Sequence, residues 1–159
     1  MARAVVIGIG NPDRADDGAG REAVRRLRGR VPPGVELHAL DGEPAALLAA
    51  LDGAAAAWLI DACASGAPPG TVHRLDAAAE PLPRESFALS SHGLGLAEAL
   101  ELARALGQLP PSCVVFAIEG AGFAPGAPLS PAAEAGVAEA VARLLRELRA
   151  PHPGGRIDA

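Results

Sequence analysis

The apolar positions of this chain switch between strand-like runs and helical stripes. Ala4 to Ile9 is a run rich in Val and Ile that stops at Gly10-Asn11-Pro12, the pattern of a fully buried strand entering a turn. Three acids follow, Asp13, Asp16 and Asp17, after which Ala19, Ala23, Val24 and Leu27 recur at helical spacing with arginines on the other face. Val35 to Leu40 predicts a second strand, and Asp41-Gly42-Glu43-Pro44 turns from it into an Ala/Leu helix with Pro44 near the first position. Ala56 to Ile60, which contains Trp58, predicts a third strand ending at Asp61.

Ser65 to Gly70 predicts a loop and Thr71 to Leu75 a short strand returning along an edge. A stretch rich in Pro and Ala then reaches Ser90-Ser91-His92-Gly93, and Leu96, Ala97, Leu100 and Ala103 trace a helix through about Leu106, with Gly107 as its stop. Cys113 to Ile118 predicts the last strand. In the final helix Ser130 caps, Pro131 sits in the first turn, and Val137, Val141, Leu144, Leu145 and Leu148 form one stripe. Strands alternating with helices predict a three-layer α/β sandwich, with a mostly parallel sheet of about five strands and helices on both faces. A single domain is expected over 1–150, and a flexible C-terminal tail over 151–159.

Composition narrows the picture. A chain of 159 residues that is 50% hydrophobic should bury roughly 70% of its unfolded surface, enough for a core without disulfides or a structural metal. Cys63 and Cys113 have no CxxC spacing and read as reduced, packed thiols. All fourteen basic residues are Arg, which excludes Walker and Schiff-base lysines. Tyr is absent and the formal charge is −5, so nucleic acid is not an expected partner. No apolar run reaches the length of a membrane span, and the first one is far shorter than a signal-peptide core; a cytoplasmic protein without membrane contact is expected.

In open α/β sheets ligands bind beyond the carboxyl ends of the strands, and that sample is acidic here. Asp17 follows the first strand, Asp41 the second, Asp61 ends the third and Glu119 follows the last, while His92 lies in a loop entering a helix. Two carboxylates and an imidazole make a mixed oxygen and nitrogen site for a borderline divalent metal such as nickel or zinc. His38, His73 and His152 read as structural or solvated. The glycine turn is not a dinucleotide fingerprint, because Asp13 stands where the third glycine should be and the added acids would repel pyrophosphate. There is no GxSxG elbow, and Cys63, two residues past Asp61, lacks a paired base and reads as packing.

The segments Gly8-Ile9-Gly10-Asn11-Pro12-Asp13-Arg14-Ala15-Asp16-Asp17-Gly18-Ala19-Gly20, Ile60-Asp61-Ala62 with Ser65-Gly66 and Pro69-Gly70-Thr71, Ser91-His92-Gly93-Leu94-Gly95-Leu96, Ile118-Glu119-Gly120 and Leu129-Ser130-Pro131 resemble the nickel-iron hydrogenase maturation endopeptidases. The likeness spans nearly the whole chain, with its motifs in order.

The resemblance implies an α/β enzyme that clips a C-terminal extension from the hydrogenase large-subunit precursor after nickel insertion. It places metal contacts on Asp17, Asp61 and His92, with Asp17 where many relatives carry Glu. The nickel is expected to arrive with the precursor, and other divalent metals are expected to occupy the site in vitro. A carboxylate not bound to metal would accept a proton, and Asp16 is the expected candidate, so the catalytic set is Asp16, Asp17, Asp61 and His92. Asp41 and Gly42 match the start of a substrate-recognition stretch that commonly reads Asp-Gly-Gly-Thr in the family, whereas Glu43-Pro44 depart from it. Two rivals use the same ligands: a non-hydrolytic nickel-sensing assembly factor, and a stand-alone metallohydrolase acting on small amides.

Overall fold

The computed structural model describes residues 2–88 and 94–150. Its five strands are β1 (Ala4–Ile9), β2 (Val35–Leu40), β3 (Ala56–Cys63), β4 (Val72–Asp76) and β5 (Ser112–Glu119); its α-helices are α1 (Ala19–Leu27), α2 (Pro44–Leu51), α3 (Leu96–Ala105) and α4 (Pro131–Arg149). The sheet order is β2-β1-β3-β5-β4. The first four strands in that order run parallel, and β4 returns antiparallel along β5 at the edge.

Alternation along the central strands divides the apolar residues between two faces. Val5, Ile7, Leu59 and Val115 pack with Leu47 and Leu51 of α2 and Leu96 and Leu100 of α3. Val6, Trp58, Ile60 and Phe116 pack with Val24 and Leu27 of α1 and Val137, Leu144 and Leu148 of α4. The three-layer α/β sandwich with helices on both faces is therefore observed, and the stripe of α4 is buried throughout.

Two strands run further than their composition suggests. β3 does not stop at Asp61 but continues to Cys63, because β5 also extends to Glu119 and pairs it: Asp61 faces Ala117 and Cys63 faces Glu119 in register. Asp61 is thus held inside a strand, with neither end free to swing. The linker before His92 contains a short 3₁₀ turn, Arg84–Phe87, whose Phe87 is buried.

The helix following β1 lies unusually near the sheet. A Cβ on Gly20 would come within 2.2 Å of the Ile60 carbonyl oxygen and 2.5 Å of that of Ile9. A side chain there would have to displace backbone, so glycine sets the depth of α1. Gly20 supplies the close helix–strand approach that the dinucleotide fingerprint asks of its third glycine, although no such glycine stands at residue 13.

Candidate functional site

Sheet order decides where a ligand can enter. β1 connects outward to β2 on one side, and the chain then crosses to β3 on the other, so a crevice opens between the carboxyl ends of β1 and β3. A cavity of about 340 Å³ lies there, within the range of small-ligand sites. Asp17 and Asp61 line it, as do Asp41 and Gly42 from the end of β2, Asp13 and Arg21. Apolar walls come from Leu47, Phe87, Leu94 and Leu96. His92 lies outside the described residues, as does the tail over 151–159; Leu94 and Leu96, just beyond His92 in the chain, line the cavity.

Local sequence explains the placement of Asp17. Gly10 has φ of +141°, and a Cβ on it would meet the Asp17 carbonyl oxygen at 1.8 Å. Only glycine lets the end of β1 turn this tightly under the acidic loop. The loop then forms a 3₁₀ turn, Ala15–Gly18, entered through Ala15 at φ 51°. The Asp17 Oδ2 accepts from the Asn11 backbone N–H at 3.0 Å. Asp61 Oδ1 accepts from the N–H of Ala62 at 2.8 Å.

The two cavity carboxylates are electrostatically uncomfortable. Burial raises the Asp17 pKa above the usual carboxylate value, only partly offset by the Asn11 N–H and by Arg14. Burial also holds Asp61 well above that range, and the neighbouring Asp17 charge pushes it further. Like charges sharing a desolvated crevice resist joint ionisation, and a cation between them would relieve both.

Asp16 sits differently. It is 1% exposed and does not line the cavity among the described residues. Its Oδ2 accepts from the N–H of Ala121 at 2.7 Å and the hydroxyl of Ser130 at 2.8 Å, with Gly122 N at 3.4 Å; its Oδ1 accepts from Ser130 N at 2.8 Å. Burial alone would raise its pKa, but these donors outweigh burial and leave it below the usual value.

At the end of β2, Asp41 Oδ1 accepts from the Glu43 N–H at 3.0 Å, and Gly42 turns at φ +97°. Glu43 caps α2, its two carboxylate oxygens accepting from Ala45 N and Ala46 N, each at 2.9 Å, and Pro44 takes the first turn. The departure from Gly-Thr at these positions therefore has a local architectural job.

A second polar cluster lies one strand pair away, and sequence reasoning treated its members separately. Cys63, His73 and Glu119 come from β3, β4 and β5. His73 Nε2 lies 3.1 Å from Glu119 Oε1, and the Cys63 thiol donates to the same oxygen at 3.4 Å. Ser65 donates to Glu119 through both its hydroxyl and its N–H. Burial, then Glu119, push the Cys63 thiol up, while the donors around Glu119 overcome its own burial and hold it below its usual range. The signal available beforehand was parity, since Cys63 shares a strand face with Asp61.

A doubly wound sheet with two carboxylates lining the crevice at its switch point defines an α/β protein whose acidic crevice lies where open sheets of this kind bind their ligands. The chain belongs to the hydrogenase maturation protease family, whose HycI model matches residues 24–147, and its class of activity is that of an endopeptidase. Among solved structures it is similar to the hydrogenase-maturating endopeptidase HybD from E. coli, at 29% identity and TM-score 0.74 over 92% of each chain. An endopeptidase from Escherichia coli matches at 27% identity and TM-score 0.78, again over 92% of both chains. The [NiFe] hydrogenase maturation protease HybD from Thermococcus kodakarensis shares the fold at 24% identity and TM-score 0.69, over 91% of this chain and 98% of that one. No curated protein matches the sequence. Among the described residues no helix is long and apolar enough to cross a membrane.

Proposed function

We propose that this endopeptidase removes the C-terminal extension of a hydrogenase large-subunit precursor that already carries nickel, and that Asp17, Asp61 and His92 complete the coordination of that substrate-borne ion. One observation carries the reading: Asp17 and Asp61 share one cavity at the β1/β3 switch point, with Asp17 disfavouring ionisation of Asp61. Such a pair has little power to attack a peptide bond alone. It would gain affinity, and a Lewis-acid centre able to polarise the scissile carbonyl, when the substrate supplies a divalent cation for Asp17, Asp61 and His92 to hold. His92 adds the nitrogen donor that suits nickel better than oxygen alone. Asp41 and Gly42 meet the precursor from the β2 side of the same cavity.

Asp16, the proton acceptor expected from sequence, is assigned a positioning role instead. Its carboxylate is saturated by donors and its pKa is lowered, both of which weaken it as a base. It holds the loop that carries Asp17.

The decisive experiment incubates the protein with nickel-loaded and nickel-free precursor and follows loss of the C-terminal peptide by mass spectrometry. Cleavage of the loaded form alone is expected. Equal cleavage of both would overturn the borrowed-metal reading, and tight binding of the loaded form without cleavage would favour the assembly factor.

A further inference from the structure

We propose that Cys63, His73 and Glu119 form a second metal site, distinct from the Asp17–Asp61 cavity, that holds a resident Zn²⁺-class ion. One donor atom from each lies within 4.8 Å of the other two. Three ligands at about 2.0–2.3 Å around a tetrahedral ion stand roughly 3.3–3.6 Å from one another. The 3.1 Å from His73 Nε2 and 3.4 Å from Cys63 Sγ to Glu119 Oε1 are near that spacing before any ion enters.

The donor set is chemically selective. One sulfur, one imidazole nitrogen and one carboxylate oxygen suit a borderline divalent ion, whereas calcium and magnesium prefer oxygen alone. The carboxylate is also oriented from behind, because Ser65 donates to both of its oxygens, the arrangement that fixes ligand direction at built metal sites. Cys63 and Glu119 are 1% and 2% exposed, so the ion would sit against the sheet. His73 is partly exposed on the edge strand, and that side gives a path in. Binding converts the Cys63 thiol to thiolate and releases its proton to solvent, leaving the fourth position to water.

Such an ion would cross-link the ends of β3 and β5 to the edge strand β4. It would thereby brace the segment that carries Asp61, two residues before Cys63 on the same strand face. None of the three ligands lines the Asp17–Asp61 cavity, so the two sites can be loaded and emptied separately.

The test uses the full chain, stripped with chelator, exposed to excess Zn²⁺ and dialysed before metal analysis. Asp61→Asn should retain about one equivalent and the wild type at least as much, while Cys63→Ser and His73→Ala should each retain about one equivalent less than the wild type. With Co²⁺ as the probe, a near-ultraviolet thiolate-to-cobalt band should appear in the wild type and vanish in Cys63→Ser. Zinc at about a hundredfold excess over its Kd should raise Tm on the order of 5–10 °C, reversibly with chelator. If Cys63→Ser fails to fold, His73→Ala on the edge strand decides the matter. Absence of retained zinc in the wild type overturns the proposal. So does retention undiminished in His73→Ala, or loss of the ion in Asp61→Asn.

Discussion

Asp16 and Ser130 hold each other at two points: the Ser130 N–H donates to Oδ1 and its hydroxyl to Oδ2, each at 2.8 Å. The same hydroxyl accepts from Ala133 N at 3.1 Å, so the residue that caps α4 also anchors the acidic loop after β1. One carboxylate thus couples the loop bearing Asp17 to the start of the last helix. Asp16→Asn keeps the shape but places an N–H where only acceptors are wanted. It should cost about 2–4 kcal/mol, visible as a clear drop in Tm. A residue acting as the proton acceptor would behave otherwise: cleavage would vanish while the melting curve stayed in place.

Asp61→Asn should do the reverse. Because burial and Asp17 disfavour its ionised form, the neutral amide is expected to leave Tm equal or higher while cleavage of nickel-loaded precursor falls by at least tenfold. Loss of stability together with activity would show that Asp61 holds the strand rather than the substrate.

The pH dependence of that difference has a definite sign. An acid whose folded pKa lies above its unfolded value keeps its proton longer when folded, so it causes no penalty at low pH. The penalty grows as pH rises from about 4 through the raised value and then levels off. The advantage of Asp61→Asn in Tm should therefore be absent near pH 4 and largest in the plateau. Engagement of the cation runs with ionisation, so the acid limb of wild-type cleavage should lie above the ordinary carboxylate range. Matched melting curves of the two metal-free proteins across pH would check the first claim, and an advantage that shrank toward neutral pH would contradict it.

Much of this was legible in the sequence. The ranges of β1 and β2, the Pro44 start of α2 and the Ser130 cap of α4 follow from apolar runs and helix-start chemistry that act over a few residues. Asp17, Asp41, Asp61 and Glu119 could be named from strand ends, because the switch-point rule depends on topology alone, and the family resemblance then singled out Asp17 and Asp61. Other features depend on which strand lies beside which. That β4 pairs with β5, and so brings His73 to Glu119, is set by long-range packing that a short edge strand does not encode. The saturation of Asp16 likewise needs residues 121 to 130 folded back over it. A carboxylate in a row of acids looks the same whether it faces a cavity or four hydrogen-bond donors.

Gly20 offers a test of how α1 sets the crevice. Its substitution by Ala would press a methyl carbon into the carbonyl oxygens of Ile60 and Ile9. Backbone cannot rotate away as a side chain tip would, so α1 must move outward. A loss of about 1–3 kcal/mol is expected. Because α1 follows directly from the turn holding Asp17, cleavage should fall further than the lower stability explains. An unchanged Tm would mean that the helix has slack there.

Glu43 and Pro44 decide between architecture and recognition at the rim of the cavity. Glu43 accepts from two N–H groups at the start of α2, and Pro44 fits the first turn without losing a hydrogen bond. Replacing the pair by Gly-Thr, the residues the family resemblance leads one to expect there, keeps the backbone N–H that bonds Asp41 but removes the side-chain cap. The expected cost is about 0.5–2 kcal/mol, read as a Tm shift of a few degrees. Asp41 and Gly42 keep their places on the cavity wall, so kcat/KM for the protein's own nickel-loaded precursor should stay within about twofold at a temperature where both forms are folded. A far larger rise in KM would show that Glu43 or Pro44 touches the precursor, because loss of a cap at the helix start cannot by itself discriminate one substrate from another.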